Sequence, residues 1–234
     1  MRRTSISIVI PVHNEADLIA ASLNELQAWR ARGHEVIVVD GDSMDATATI
    51  AAPLCDQVIR SPKGRAIQMN AGAAAARGDV LIFLHVDTAL PENAEAELRA
   101  AARDRNEFWG RFDIRLDARP VIYRVIEFLM NWRSRRSGIA TGDQAIFVSR
   151  LLFERSRGFP PIALMEDIAL SANLRRDVPP ECLRSQVKAS ARRWQRDGVA
   201  KTITKMWWLR AAFFFGVSPE RLRASYDRLD PADV

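Results

Sequence analysis

Four short stretches in the amino-terminal part of the chain carry side chains that could grip a phosphate or a metal ion: Pro11-Val12-His13-Asn14-Glu15, Asp40-Gly41-Asp42, Ser61-Pro62-Lys63-Gly64-Arg65 and His85-Val86-Asp87. Each follows an apolar run, so each reads as the loop after a buried strand. In open α/β sheets, ligands collect at the carboxyl ends of parallel strands. One charged strand end is ordinary, because loops are polar; four in succession mark a site. No Gly-x-Gly-x-x-Gly follows any of these strands, and no Gly-x-x-x-x-Gly-Lys-Ser/Thr occurs, which argues against a dinucleotide site and a P-loop. What remains is a diphosphate held through a divalent ion, since Mg²⁺ or Mn²⁺ prefers a few carboxylates plus phosphate oxygens. Asp87, just past an apolar strand, fits that task. It fits equally well as a carboxylate that caps the turn before Thr88.

The elements that must position these groups are legible from periodicity. Residues 6–10, 35–39, 57–59 and 80–84 are short apolar runs that read as strands. Between them, residues 16–32 carry Ile19, Leu23 and Leu26 at helical spacing up to Gly33, Asp45 can cap a helix over 46–52, and residues 65–76 form an alanine-rich helix before Gly78. Pro91 opens a helix running to about residue 103. Repeated β-α units predict a mostly parallel, doubly wound sheet with helices on both faces. The second half is mixed: strands at 108–116 and 145–148, and helices at 121–132, 167–176 and 201–215. In the first of those helices Arg124, Glu127 and Asn131 occupy one side, and an apolar arc occupies the other.

Length and composition suit one α/β domain over residues 1–234, with a nucleotide-binding half to residue 104, an acceptor half to residue 200 and a helical end. The chain has 234 residues, 48% hydrophobic, with a formal charge of +5 from 34 Lys and Arg against 29 Asp and Glu. A mild basic excess suits phosphate-bearing substrates or an anionic membrane surface and does not point to nucleic acid. Cys55 and Cys182 lack metal-ligand spacing and read as buried free thiols in a reducing compartment. Met1-Arg2-Arg3 before an apolar run mimics a signal peptide, but the run ends at Pro11 without a small-residue cleavage site. No uncharged apolar stretch reaches the length of about 18 residues needed to span a membrane. The expectation is a cytoplasmic protein, with peripheral contact at the inner membrane face open to it.

Taken in order, the stretch from Ile8 to Glu15, then Val38-Val39-Asp40-Gly41-Asp42-Ser43-Met44-Asp45-Ala46-Thr47, then His85-Val86-Asp87-Thr88, resemble the successive signatures of glycosyltransferase family 2. Glu166-Asp167 and Arg192-Arg193-Trp194 resemble its later motifs. Thr141-Gly142-Asp143-Gln144-Ala145-Ile146-Phe147 and Leu164-Met165-Glu166-Asp167 are similar to small stand-alone members associated with arsenosugar biosynthesis or radical-enzyme gene neighbourhoods. The resemblance implies a GT-A fold and inverting transfer from a nucleotide-diphosphate sugar, usually a UDP-sugar, to a small-molecule or lipid-linked acceptor. It implies that Pro11, Val12, Asn14, Glu15 and Asp40 surround the nucleobase and ribose, with Asp42 close by and Arg65 approaching the nucleotide. Asp87 matches the last carboxylate of the family's Asp-x-Asp motif and would bind Mn²⁺ or Mg²⁺. His85 stands where the first Asp usually does, as a neutral ligand or a donor to ribose. Asp167 matches the base that takes the acceptor proton, and Glu166 would orient the acceptor. Arg192, Arg193 and Trp194 would close over the diphosphate and offer the acceptor a platform, although the Gln of the processive motif is missing.

Two other readings stay open on the sequence. A sugar nucleotidyltransferase would want a Gly-rich, Arg-containing loop after the first strand, where Pro-Val-His-Asn-Glu stands. A nucleotide-sugar-binding protein without catalysis is the other. At the carboxyl end, Met206-Trp207-Trp208 and Phe213-Phe214-Phe215 fit either core packing, a homodimer contact or membrane docking.

Overall fold

The computed structural model describes residues 4–229; residues 1–3 and 230–234, part of the single domain expected from the sequence, lie outside the described residues. The first half comprises β1 (Ile6–Val12), α1 (Ala16–Glu25), α2 (Gln27–Ala31), β2 (Glu35–Asp40), α3 (Thr47–Ala51), β3 (Gln57–Arg60), α4 (Arg65–Ala75), β4 (Val80–Phe83), β5 (Thr88–Ala89) and α5 (Ala94–Ala101). The second comprises β6 (Trp109–Asp117), α6 (Val121–Ser137), β7 (Ile146–Ser149), α7 (Arg150–Arg155), α8 (Glu166–Asp177) and β8 (Glu181–Ser190). Three helices close it: α9 (Arg192–Asp197), α10 (Val199–Phe214) and α11 (Pro219–Leu229).

All eight strands share one sheet in the order β3-β2-β1-β4-β7-β6-β8-β5. Strands β3, β2, β1 and β4 run parallel, β7 runs against β4 and β6, β8 runs with β6, and β5 runs against β8. The fold is thus α/β, and the parallel block brings the carboxyl ends of its strands to one edge. Alternation along β1 explains why helices cover both faces. Ile6, Ile8 and Ile10 join Ile19 and Leu23 of α1 in one core layer, while Val9 joins Ala66, Met69 and Ala73 of α4 in the other. On the second face a Cβ at Gly72 would lie 2.4 Å from a Val9 methyl carbon, so glycine lets α4 rest directly on β1.

The structure departs from the sequence reading in several places. The helix expected over 16–32 breaks at Leu26, where the Leu26 N–H bonds Leu23 O at 3.1 Å and the Gln27 amide side chain donates to the same carbonyl at 2.8 Å. A carbonyl so occupied turns the chain by a tightened turn of three-ten type. Of the two cysteines, Cys55 is buried but Cys182 is only half-buried, and both are free.

Helix α6, whose polar side and apolar arc the sequence shows, places much of the polar side inward and most of the apolar arc outward. It buries Glu127 and Asn131 beside Tyr123 and Ile126, while Val121, Ile122, Val125, Phe128, Leu129 and Trp132 are exposed. Beyond Gly110, β6 pairs with β8 along one edge and has no β7 partner on the other. The polar side of α6 supplies the missing partners. Asn131 accepts from Ile114 N at 2.9 Å and donates to Ile114 O at 3.0 Å, and Glu127 accepts from Leu116 N at 2.6 Å. Buried backbone groups must be paired, and that need outweighs the usual preference for burying the apolar arc. The carboxyl-terminal segment also differs from a packed core helix. Leu209 is buried, but Trp207, Trp208, Phe214 and Phe215 face outward.

Candidate functional site

At the amino-terminal edge, two loops are laced together by side chains rather than by strand pairing. After β1, His13 Nδ1 lies 2.8 Å from Gly41 O, Asn14 N donates to Ser43 Oγ at 2.9 Å, and Asn14 Oδ1 accepts from Met44 N at 2.8 Å. Glu15 N donates to Thr47 Oγ1 at 2.8 Å, and Asp45 accepts from both Ala16 N and Thr47 N. The Asp45 carboxylate is held below its ordinary range, chiefly by the Thr47 hydroxyl. Asn14 and Asp42 adopt left-handed backbone angles, φ 53° and 65°, which Asn and Asp tolerate better than most residues. Under both loops lies Gln68 of α4, buried, which donates to Val12 O at 2.8 Å and Val39 O at 2.9 Å. It stitches two strand ends into one rim. The rim holds Asp40, which is 3% exposed. Its Oδ2 accepts from Ser43 N at 3.3 Å, whereas its buried Oδ1 has no hydrogen-bond partner among the described residues. A buried acceptor left unpaired is costly, and a bound N–H or O–H donor would satisfy it.

A second group of side chains lines a small cavity: Arg65, Met69, Phe83, His85, Gly142, Ile146, Phe159, Glu166 and Asp167. Here α8 delivers the acids. Met165, which precedes the helix, has φ 68°, and Ala145, which leads into β7, has φ 47°. Neither side chain favours the left-handed region, and strain of this kind collects at functional sites. Asp167 accepts from Gly142 N at 2.9 Å and from Ile168 N at 2.7 Å. A Cβ at Gly142 would lie 2.6 Å from His85 Nε2, so glycine here lets the imidazole lie against the loop that clamps Asp167.

Burial sets the electrostatics of the cavity. Glu166, 6% exposed, is pushed from 4.5 up to about 7, mainly by burial and then by the Asp167 charge. Asp167 is also raised, by burial foremost, while the Gly142 and Ile168 N–H groups act against that rise. Donors at the start of α8 favour an anion there, so Asp167 is the member of the pair better suited to stay ionised. His85 is pushed down to about 3 by burial and by Arg65 and Arg193, which leaves it a neutral imidazole. Arg133 of α6 feels Asp143 and Asp167, and it is lowered to about 10 by burial and by Arg210. Its Nε and Nη2 are buried without hydrogen-bond partners among the described residues.

The structure therefore brings Arg65, His85, Glu166 and Asp167 into one cavity, and Pro11, Val12, Asn14, Glu15, Asp40 and Asp42 into or beside one laced rim. Asp87 sits outside the cavity, exposed in a turn closed by Thr88 N to His85 O at 3.1 Å. Among the described residues no three or more His, Cys, Asp or Glu side chains gather to hold a metal by themselves. Arg192 is exposed and bonds Ser190 Oγ at 3.2 Å; Arg193 lies over the Tyr226 ring at 5.8 Å; Trp194 packs against the main core. Trp194 is partly exposed and packs one side against that core. Gln68, Gly142 and Arg133 were not singled out from the sequence. Gly142 lies within a stretch that drew attention, whereas Gln68 and Arg133 sit on helices whose sequence offers no cue to what their side chains reach.

An α/β sheet of this kind, with a rim and cavity at the carboxyl ends of its parallel strands, is a GT-A-like fold. The chain belongs to glycosyl transferase family 2, whose model matches residues 7–155. It is 31% identical over 144 residues to an uncharacterised glycosyltransferase of Mycobacterium tuberculosis, covering 58% of this chain and 62% of that one. It is 29% identical over 89 residues to an uncharacterised glycosyltransferase of a Nostoc species, covering 35% of this chain and 28% of the relative. The chain thus spans less than two thirds of the length of these relatives. Among solved structures, a mannosyltransferase of Pyrobaculum calidifontis in complex with GDP-Man and Mn²⁺ superposes with a TM-score of 0.65 at 18% identity, over 91% of this chain and 62% of that one. S. aureus TarS in complex with UDP-GlcNAc gives 0.63 at 17% identity, over 80% of this chain and 58% of that one. These likenesses establish the fold. No helix among the described residues is long and apolar enough to cross a membrane.

Proposed function

We propose that the protein transfers a sugar, with inversion, from a nucleoside-diphosphate sugar to an acceptor hydroxyl, and that Asp167 takes the acceptor proton. The observation that carries this reading is the Asp167 carboxylate itself. It lies in a cavity, each oxygen bonded to one backbone N–H, beside a Glu166 whose proton is held up to about pH 7. Each of its oxygens keeps a lone pair for an incoming hydroxyl. Two carboxyl groups whose surroundings separate their proton affinities are suited to an acid–base division of labour. In inverting transfer the hydroxyl attacks the anomeric carbon as the base removes its proton, and the sugar–phosphate bond breaks on the opposite face.

The donor nucleotide fits the laced rim. Asp40 Oδ1, buried and unpaired, would accept from a nucleobase N–H or a ribose hydroxyl. Exposed Asp42, Asn14 and the Pro11-to-Glu15 loop border that point, and Arg65 at the start of α4 joins the cavity side, where it suits the diphosphate. Asp87 fits a divalent ion of the kind that takes most of its ligands from phosphate and water. Its carboxylate is exposed, and the hydrogen bond it accepts from Thr88 Oγ1 is long at 3.4 Å. A Mg²⁺ or Mn²⁺ ion bound there would neutralise charge on the departing diphosphate. His85 keeps its ring against Gly142 inside the cavity, so we assign it to the wall of the sugar site rather than to the ion. As a neutral imidazole it can donate to a sugar or phosphate oxygen without adding charge.

Thermal unfolding with UDP, UDP-sugars and GDP-sugars, each with Mn²⁺ and with EDTA, tests the donor assignment. A ligand at about a hundred times its dissociation constant stabilises the folded state by about 2.7 kcal/mol, a shift of several degrees in Tm. We expect that shift for at least one nucleotide with Mn²⁺, and its loss in Asp40→Ala and Asp87→Ala. Equal affinity in EDTA and Mn²⁺ would remove the ion from the mechanism, and no stabilisation by any nucleotide would remove the donor.

A further inference from the structure

The outward face of α6 has no use in the reaction and is unlike the rest of the surface. Val121, Ile122, Val125, Phe128, Leu129 and Trp132 recur at helical spacing along three turns; Phe128 is 66% and Trp132 55% exposed. An exposed apolar stripe of this size marks an interaction surface. It cannot turn inward, because the opposite side of the helix holds the free edge of β6 through Asn131 and Glu127. A second stripe, Trp207, Trp208 and Phe214 of α10 with Phe215 just past its end, is exposed. The two helices adjoin, since Arg210 of α10 acts on the charge of Arg133 of α6.

Charge decides what covers these faces. On α6, Arg136 is exposed, while Arg124 and Arg135 pair with Glu127 and Asp113 but keep about a third of their side chains in solvent. On α10, Lys201 is exposed and Lys205 lies over the Tyr226 ring; the one acid of α6, Glu127, is buried toward Leu116 N and α10 has none. A second copy docked two-fold would bring an identical basic rim against this one. Anionic lipid headgroups complement it, while Trp and Phe side chains enter the headgroup–acyl boundary. We propose that the outward faces of α6 and α10 seat this protein on an anionic lipid bilayer. Helix α10 also packs, through Leu209 and Met206, against Met165 and Ile168 on either side of Glu166 and Asp167. The helix that carries one of the exposed stripes therefore also packs, by its other side, on the element that bears the acids. The proposal stands independently of the reaction assigned above.

Co-sedimentation with phosphatidylglycerol–phosphatidylcholine vesicles, and with phosphatidylcholine alone, tests it on the whole chain. We expect wild-type protein to bind the anionic vesicles, more weakly at high salt and on neutral vesicles. The double variant Phe128→Glu, Trp132→Glu should lose roughly tenfold or more of that binding. Both positions are exposed, so an unchanged unfolding temperature confirms that the variant folds. The proposal fails if wild type leaves anionic vesicles unbound, or if the variant binds them equally well. A wild-type dimer in sedimentation equilibrium that the same variant splits would assign the face to a second copy and overturn the proposal too.

Discussion

Helices α1 and α4 bury apolar side chains against the parallel strands, Ile19 and Leu23 on one face and Met69 and Ala73 on the other. Helix α6 buries Glu127, Asn131 and Ser134 and leaves phenylalanine and tryptophan in water. The difference comes from what each helix meets. Strands β2, β1 and β4 are paired along both edges, so α1 and α4 meet mostly side chains, with Gln68 reaching backbone only at the strand ends. Strand β6 leaves one edge open past Gly110, and α6 meets unpaired backbone. A helix over a paired sheet follows hydrophobicity; a helix over an open edge follows hydrogen bonding.

That contrast can be broken by substitution. In the parallel half, Ile10→Ala removes a fully buried side chain and should cost about 2–5 kcal/mol in chemical denaturation. In the mixed half, Asn131→Leu increases apolarity yet strips two hydrogen bonds from Ile114. It should still cost about 1–3 kcal/mol, because it leaves a buried donor and acceptor unpaired. If Asn131→Leu is stabilising instead, edge pairing is not what orients α6. Phe128→Ser should sit at the bottom of the scale, within about 0.5 kcal/mol of wild type, where an ordinary core phenylalanine would cost several.

The cavity acids give an intermediate effect with a sign of its own. Glu166 is raised from 4.5 to about 7 in the fold, so the folded state binds its proton more tightly than the unfolded chain. That preference is fully present below about pH 4.5 and is lost as pH rises to about 7. Glu166→Gln removes the penalty of ionising a buried acid. It should therefore stabilise the protein by about 1–3 kcal/mol at pH 8 and by little at pH 4. Urea titrations at both pH values measure this. Equal effects at the two values would show that Glu166 is not the group strained by burial.

What the sequence made legible follows the same division. The four parallel strands and their helices were readable to within a few residues, because both faces of the strands are apolar and the turns carry Gly, Pro or Asp. The charged strand ends at Asp40 and at His85 to Asp87 fell at one edge for the same reason. The short β5 and the strand β8, with its alternating charges, escaped notice, as did α9 and α11, for they lack a continuous apolar run. Helix α6 and its two sides are legible in the sequence, but not which side is buried, since no periodicity reveals an unpaired strand edge elsewhere in the chain. The sequence motifs named Glu166 and Asp167. The clamp from Gly142, the bracing by Gln68 and the buried Arg133 depend on contacts between distant segments that spacing does not encode.

The central claim, that Asp167 acts on the acceptor while the donor nucleotide is held by the rim around Asp40, is tested most directly by Asp167→Asn. The amide keeps the size of the side chain, and its single oxygen can accept from either Gly142 N or Ile168 N though not from both, but it cannot take a proton. Single-turnover transfer to a working acceptor, or slow donor hydrolysis in its absence, should be measured alongside calorimetric UDP affinity. The account predicts a rate lower by about 10²–10⁴-fold, with UDP affinity nearly unchanged. Near wild-type turnover, under conditions where the chemical step limits the rate, would contradict it.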